Sequence, residues 1–215
     1  MNQALLSFIC VFLFIACNVS VTPDYRTEVR RHRSVAIMPF VVNIYKITDS
    51  KLTSSQQLEA KELALSKLFQ QQAYDFFTNR KTRNSQVHVA VQHVSETNKK
   101  LAELGITYKQ ISLFSEKELA HFLGVDSFIY GNIDLRNNPS ASQAVHLVSI
   151  SSFSANQEML AEIDVKLASA ISESIIWQYK EFSKGYSFQE TRNDTLLFNC
   201  LLTYPLSRIQ YKGIK

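Results

Sequence analysis

Ser115-Glu116-Lys117-Glu118-Leu119-Ala120-His121-Phe122-Leu123-Gly124-Val125-Asp126-Ser127-Phe128-Ile129-Tyr130-Gly131-Asn132-Ile133 is the stretch that decides the fold class. Ser115 and Glu118 stand at capping-box spacing, Leu119, Phe122 and Leu123 share a helical face, and Gly124 supplies the left-handed residue that ends a helix. Composition then changes from helical to strand-like, and Val125 to Leu135 reads as a strand crossing Gly131. A helix delivered straight into a buried strand is the unit of a layered α/β protein.

The same grammar extends toward the amino terminus. Ser95 starts a short helix with Leu101 and Leu104 inward, and Gly105 stops it. Val87 to Val91 reads as a strand. Ser54 and Gln57 form a capping box opening a long helix, whose Leu58, Leu65, Phe69 and Phe76 run down one face until it fades near 79–83. Val35-Ala36-Ile37-Met38-Pro39-Phe40 is a buried strand that Pro39 should end, because proline donates nothing to a ladder. Residues 18–33 show no sustained apolar period and read as a linker.

Toward the carboxyl terminus, Asn138-Pro139 reads as a cap and first-turn proline opening a helix through about Ser152. Ala161, Ile163, Val165 and Leu167 alternate with Glu162, Asp164 and Lys166, one buried face and one wet. After a break at Ser169 to Ser174, Ile175 to Phe182 should return as the hairpin partner, with Trp177 and Tyr179 on one face. Asp194 caps a last helix through Leu202, broken near Pro205. The expectation is an α/β fold: a mixed β-sheet packed by helices, ending in an antiparallel hairpin and a C-terminal helix.

Ahead of this domain, Ala4 to Ala16 is an apolar run of about 13 residues, short of the ~20 needed to span a bilayer and of signal-peptide length. It closes on Phe14-Ile15-Ala16-Cys17, a small residue followed by cysteine, as in a bacterial lipoprotein signal. The predicted organisation is a lipoprotein signal at 1–16, a lipidated Cys17 with a basic linker over 17–33, one α/β domain over 34–206 and a tail at 207–215. An ordinary secretory signal or an uncleaved anchor are the other readings. Asn18, not an acidic residue, favours the outer membrane, with the domain facing the periplasm.

Removal of the signal leaves about 199 residues, enough for one domain that buries roughly 70% of its surface without staples. Cys10 leaves with the signal and Cys17 takes the lipid, so Cys200, among Leu196, Leu197, Leu201 and Leu202, has no partner for an internal disulfide. It reads as a core thiol or a free reactive one. The net charge is only +4, and part of it lies in Arg26, Arg30, Arg31 and Arg33, offset by Asp24 and Glu28. This stretch is either a solvated tether or a contact with headgroups or a partner. Small charge without aromatic-basic interleaving points away from nucleic acid.

Val35-Ala36-Ile37-Met38-Pro39-Phe40 resembles the opening strand of the CsgG/LpoB/TolB-amino-terminal group of exported proteins. Leu119 to Ile133 is similar to that group's helix, glycine turn and strand, and Ile175-Ile176-Trp177-Gln178-Tyr179 resembles its terminal hairpin. The resemblance spans about residues 34–206, and the layout is similar to Bacteroidetes-type lipoproteins. It implies a non-enzymatic envelope protein that binds protein partners or itself, as an accessory in assembly or secretion. The chain departs from the group at the hairpin turn, where Ser172-Glu173-Ser174 lacks the usual glycine. The group's secretion channel needs spare amphipathic strands of about 9–11 residues. None is visible between the core elements, so pore formation does not carry over, although a subunit of an oligomeric export complex remains the alternative.

Catalytic signals are missing from the sequence. No GxSxG, HExxH, SxxK or glycine-rich phosphate loop occurs, and the remaining alternative is a periplasmic enzyme assembled only by folding. His88 and His93 fall on opposite faces of a persisting strand, so no metal site is read there. His121, beside Phe122, reads as structural, and His146 has no identifiable partner in the sequence. Asp126 and Asp134 bracket a strand, too far apart to flank one bond; Asp126 is expected to organise the turn after Gly124. Trp177 and Tyr179 are either a partner-binding patch or a cover for the sheet's core. No cofactor, metal or small-molecule substrate is indicated.

Overall fold

The computed structural model describes residues 19–45, 55–79, 89–137, 158–187, 198–199, 201–209 and 211. In chain order the elements are β1 (Val19–Val21), α1 (Tyr25–Arg31), β2 (Ser34–Ile37), β3 (Val41–Tyr45), α2 (Ser55–Thr78), β4 (Ala90–Val91) and α3 (Val94–Glu103). A 3-10 turn (Tyr108–Leu113) leads to α4 (Glu116–Leu123), β5 (Ser127–Asn137), β6 (Glu158–Ser169), β7 (Ser174–Ser187) and α5 (Thr203–Arg208). The strands form one mixed sheet in the order β1-β7-β6-β5-β2-β4. The remaining strand, β3, pairs with β5.

Strand β5 organises the sheet. Its first half pairs in parallel with β2, Val35 to Ile37 against Ser127 to Ile129. Its second half pairs in parallel with β3, Val41 to Tyr45 against Asn132 to Arg136. Met38-Pro39-Phe40 separates the two short strands and is buried, so Pro39 sits in the break where no ladder bond is asked of it. The opposite edge of β5 pairs antiparallel with β6 along its whole length, and β6 pairs antiparallel with β7.

Side-chain alternation gives the sheet two different faces. Ile129, Ile133 and Leu135 of β5 and Ala161, Ile163, Val165 and Leu167 of β6 point into the larger core, against Leu65, Phe69, Ala73 and Phe77 of α2 and Leu206 of α5. Ala36, Met38, Phe128 and Ala168 point the other way, into a second core closed by α3, the 3-10 turn and α4. Among the described residues those elements cover only one end of that face and leave the rest of it open.

Helix ends follow their sequence signals. Ser115 and Glu118 form the capping box, and Gly124 ends α4 in the left-handed region. Gly105 likewise follows α3 at φ 68°, whereas His93, not Ser95, caps its start and Leu104 is 46% exposed. On α2 it is Phe77, not Phe76, that is fully buried. Pro205 does not break the last helix: it is the third residue of α5, where an N–H has no intrahelical partner in any case. The expected Ser54 cap, Val87 and His88, the 138–152 helix, the Asp194 cap and Cys200 lie outside the described residues.

Two expectations are corrected. The 18–33 linker is structured: β1 pairs Val19, Ser20 and Val21 with Tyr179, Gln178 and Trp177, and α1 buries Tyr25 and Val29. Two apolar residues four apart are a helical face too short for periodicity to show. The 207–215 tail also contributes to the core, with Ile209 and Tyr211 1% and 4% exposed.

Two backbone positions yield tests. A Cβ on Gly131 would overlap the Asp164 carbonyl oxygen and stand 3.1 Å from the Val165 Cα, so β6 approaches β5 more closely than a side chain permits. Gly131→Ala should cost about 1–3 kcal/mol in urea unfolding, since backbone rather than a flexible side chain must yield; an unchanged midpoint would refute the close approach. Glu173 occupies the glycine-less hairpin turn at φ 53°, a left-handed conformation costing roughly 1–2 kcal/mol. Because both substitutions lose its ion pair to Lys117, Glu173→Gly should exceed Glu173→Ala in stability by about 1 kcal/mol. Equal stabilities would show that no strain is stored there.

Candidate functional site

Helix α1 lies across one end of the sheet and is fixed at both ends. At its start the Thr22 amide donates to the Ile176 carbonyl at 3.1 Å. At its end the Arg33 and Ser34 amides donate to one Asp126 carboxylate oxygen at 2.7 and 3.0 Å. Tyr25, Val29 and His32 form its buried line, which leaves Arg26, Arg30 and Arg31 on the opposite arc and Arg33 just beyond. All four arginines are exposed, and none forms an ion pair with an acid among the described residues. Glu28 stands on the flank and accepts a hydrogen bond from Ser172 Oγ at 2.7 Å, in the β6–β7 turn.

Beneath α1 is a buried polar cluster. His32 Nε2 lies 3.0 Å from Ser169 Oγ, which also accepts from the Ile171 amide at 3.2 Å. Ser34 Oγ donates to Asp126 and accepts from the Asp126 amide, while Ser127 Oγ bonds the Ser34 carbonyl and the Tyr211 hydroxyl. Burial is the largest influence on His32 and pushes its pKa down; Asp126 and Glu28 pull upward, and Arg31 downward, without reversing it. Burial also works against the Asp126 charge, but the donors from Arg33 and Ser34 outweigh it and hold the pKa below its ordinary 3.8. Serine, histidine and aspartate meet here without forming a triad. Ser169 is 0% exposed, and His32 Nδ1 has no hydrogen-bond partner among the described residues, so no acid orients the ring and no substrate reaches the hydroxyl.

The open face of the sheet carries the second set of polar groups. Asp164 accepts from Gln178 at 2.7 Å and lies 3.5 and 3.7 Å from Lys166 and Lys180. Asp134 accepts from Asn43 at 2.8 Å, and Arg136 stands 3.4 Å from both Asp134 and Glu162. Tyr130 donates to Glu116 of α4, and burial, then this bond, raise its pKa. A shallow recess lies between Glu162, Asp164, Lys180 and Phe182. Its central carboxylate is already shared by three donors. Phe182 and Tyr45, 51% and 47% exposed, stand at the far rim.

The expected site residues separate on this frame. Arg26, Arg30, Arg31 and Arg33 are all exposed, while Cys17, two residues before β1, lies outside the described residues. Trp177 and Tyr179 are each 1% exposed, stacked at 6.4 Å inside the larger core, so their rings offer nothing to a partner. The physical reason is register: they alternate onto the face that α2 and α5 cover. Asp126 clamps the start of β2 rather than only its own turn. His93 caps α3, His121 is exposed, and His88 and His146 fall outside the described residues. No group of three or more His, Cys, Asp or Glu is placed to hold a metal among the described residues, and no described helix is long and apolar enough to cross a membrane.

No family model matches the chain, and no curated protein matches it. Solved structures that the chain is similar to include the LpoB C-terminal domain from Salmonella enterica, 15% identical at TM-score 0.33, covering 74% of this chain and 94% of that one. Lipoprotein GNA1162 from Neisseria meningitidis is 10% identical at TM-score 0.36, with 82% and 97% covered. PelC from Paraburkholderia phytofirmans, a dodecamer, is 11% identical at TM-score 0.37, with 84% and 89% covered. At these identities and TM-scores the likenesses carry no argument about the fold, partners or chemistry of this chain.

His32 sets an acid limit on stability. The unfolded chain takes up this proton near the ordinary value of 6.5 and the folded chain only at lower pH, so below about 6.5 the unfolded state binds more protons and stability falls. Asp126 acts in a separate window: its contribution is present above 3.8 and lost as pH drops through its lowered folded value. Urea midpoints at pH 7.5 and 5.5 should therefore differ more in the wild type than in His32→Gln; an equal loss in both would remove His32 from the account.

Proposed function

We propose that this protein is a non-enzymatic cell-envelope lipoprotein, held by a lipid on Cys17, whose α/β domain binds protein partners as an accessory in envelope assembly or secretion. One observation carries the reading. The signal-length apolar run closes on Ala16-Cys17, and only two residues later the chain is already β1, locked against β7. A folded domain that begins at the end of the signal leaves that segment for export and anchoring. Asn18 at the position after the cysteine favours the outer membrane, with the domain facing the periplasm.

The protein-binding part of the proposal uses the open face of the sheet. Its charges are mutually compensated, and Phe182 and Tyr45 stand exposed beside them, the mixture of aromatic anchors and satisfied polar groups that protein interfaces favour. Catalysis by the Ser169–His32 pair is blocked by its burial.

A fatty-acid probe supplied to growing cells should label the wild type and leave Cys17→Ala unlabelled; equal labelling would end the anchor reading. A photo-cross-linker placed at Phe182 should join the protein to one dominant envelope chain. Monomer alone at every cross-linking dose would remove the partner-binding half and leave the anchor intact.

A further inference from the structure

The segment that carries β1 and α1 is joined to the domain in a way that one proton can undo. β1 stands at the end of the strand order and is the first described element, so the sheet from β7 to β4 is complete without it. α1 has seven residues, too few to hold a helix without packing. Residues 19–33 are kept in place by the three-residue ladder to β7, the Thr22 amide on the Ile176 carbonyl, the Ser172–Glu28 bond and the burial of Tyr25, Val29 and His32. We propose that His32 is the pin of a latch: when its ring is protonated, residues 19–33 leave the sheet as a unit while the remaining strands stay folded.

His32 sits at the hinge. It ends α1 with an extended backbone and is 3% exposed. Its Nε2 is engaged with Ser169 Oγ, and its Nδ1 has no partner among the described residues. An imidazolium donates from both nitrogens, so the closed latch would bury one N–H without an acceptor. Asp126, before β5, and Glu28, on α1, favour the charged ring, and Arg31 opposes it. Ser169 of β6 and the Tyr211 ring, 6.1 Å away and held neutral by burial, bring no charge. Burial outweighs the two acids, and Asp126 already accepts the Arg33 and Ser34 amides. The open segment takes its proton near 6.5 and the closed one only at lower pH. Acid below 6.5 therefore favours opening, by at most about tenfold for each pH unit. Opening would change how far the domain reaches. Closed, Asn18 alone separates Cys17 from β1; open, the stretch 18–33 is a tether spanning roughly 50 Å. The reach, though not the release, rests on the lipidation of Cys17 proposed above.

Amide hydrogen exchange of the full chain, purified from its membrane in detergent and read by mass spectrometry, tests this. Labelling times at pH 7.5 and 5.5 are scaled to the chemical exchange rate. Peptides from 19–33 should then exchange severalfold faster at pH 5.5, up to about tenfold, together with the 177–179 amides that β1 covers. Peptides from β5 and β6 should be unchanged. A His32→Gln chain should exchange alike at both pH values over 19–33, whatever its own rate. Acceleration of all peptides together means global opening and overturns the latch, as does no acceleration anywhere. An acid response in His32→Gln equal to that of the wild type removes His32 as the pin. The mass of the Cys17 peptide reads the lipid in the same experiment: its absence ends the anchor reading and the change of reach, and leaves the release to stand or fall on the exchange pattern.

Discussion

Everything in this domain is arranged around the two edges of β5. One edge must accept two separate parallel strands, β2 and β3, laid end to end; the other must hold a single antiparallel strand, β6, over the full length. The break between β2 and β3 cannot be a loop, because both segments stay in line along β5. It is three buried residues centred on Pro39. On the opposite edge the approach to β6 is close enough that Gly131 has no room for a side chain. Parallel pairing also requires each strand start to be positioned by something other than a hairpin. Asp126 meets that need by accepting two successive amides from the segment entering β2.

That clamp explains how the amino-terminal segment becomes part of the fold. The Asp126 carboxylate fixes the exit of α1, Ser169 meets His32 beneath it, and Ser127 ties the same end of the sheet to Tyr211. Sequence positions 32–34, 126–127, 169 and 211 thus converge at one end of the strands. Among the described residues the buried His32 keeps one ring nitrogen without a hydrogen-bond partner, a cost this cluster carries. The cluster is a structural joint between the segment nearest the proposed anchor and the centre of the sheet.

How far the sequence could be read follows the range of each signal. Capping box, glycine stop and strand alternation are local, so α4, Gly124, β5 and the β6–β7 hairpin were legible from the residues themselves. β1 and α1 were not: three strand residues and two buried apolar positions fall below any periodicity, and both depend on β7 and the larger core for their stability. β3 is not legible, because Pro39 reads as the end of a strand where it separates two strands on one edge of β5. The site was legible in part. The arginines are legible by composition, but that Arg26, Arg30 and Arg31 lie opposite the buried line of α1 needs the helix. Trp177 and Tyr179 are conspicuous as aromatics, and only pairing register shows that they point inward. Glu62 left a clue, a carboxylate on the apolar stripe of α2. It accepts from the Ile44 amide at 3.0 Å and pairs with Lys109 at 2.9 Å.

Glu62 also bears on which edge of the sheet is open to a partner. Ile44 belongs to β3, on the far side of β5 from β7, and its amide is taken up by the Glu62 carboxylate where an added strand would need a donor. β4, the other strand on that side, has only two residues to offer. A partner adding a strand would therefore find one of these edges blocked and the other short, while the β7 edge is partly covered by β1. Strand addition is thus the least supported mode of binding for this domain. Among the described residues the polar face of the sheet, away from α2 and beyond the reach of α3 and α4, offers side chains rather than unpaired backbone.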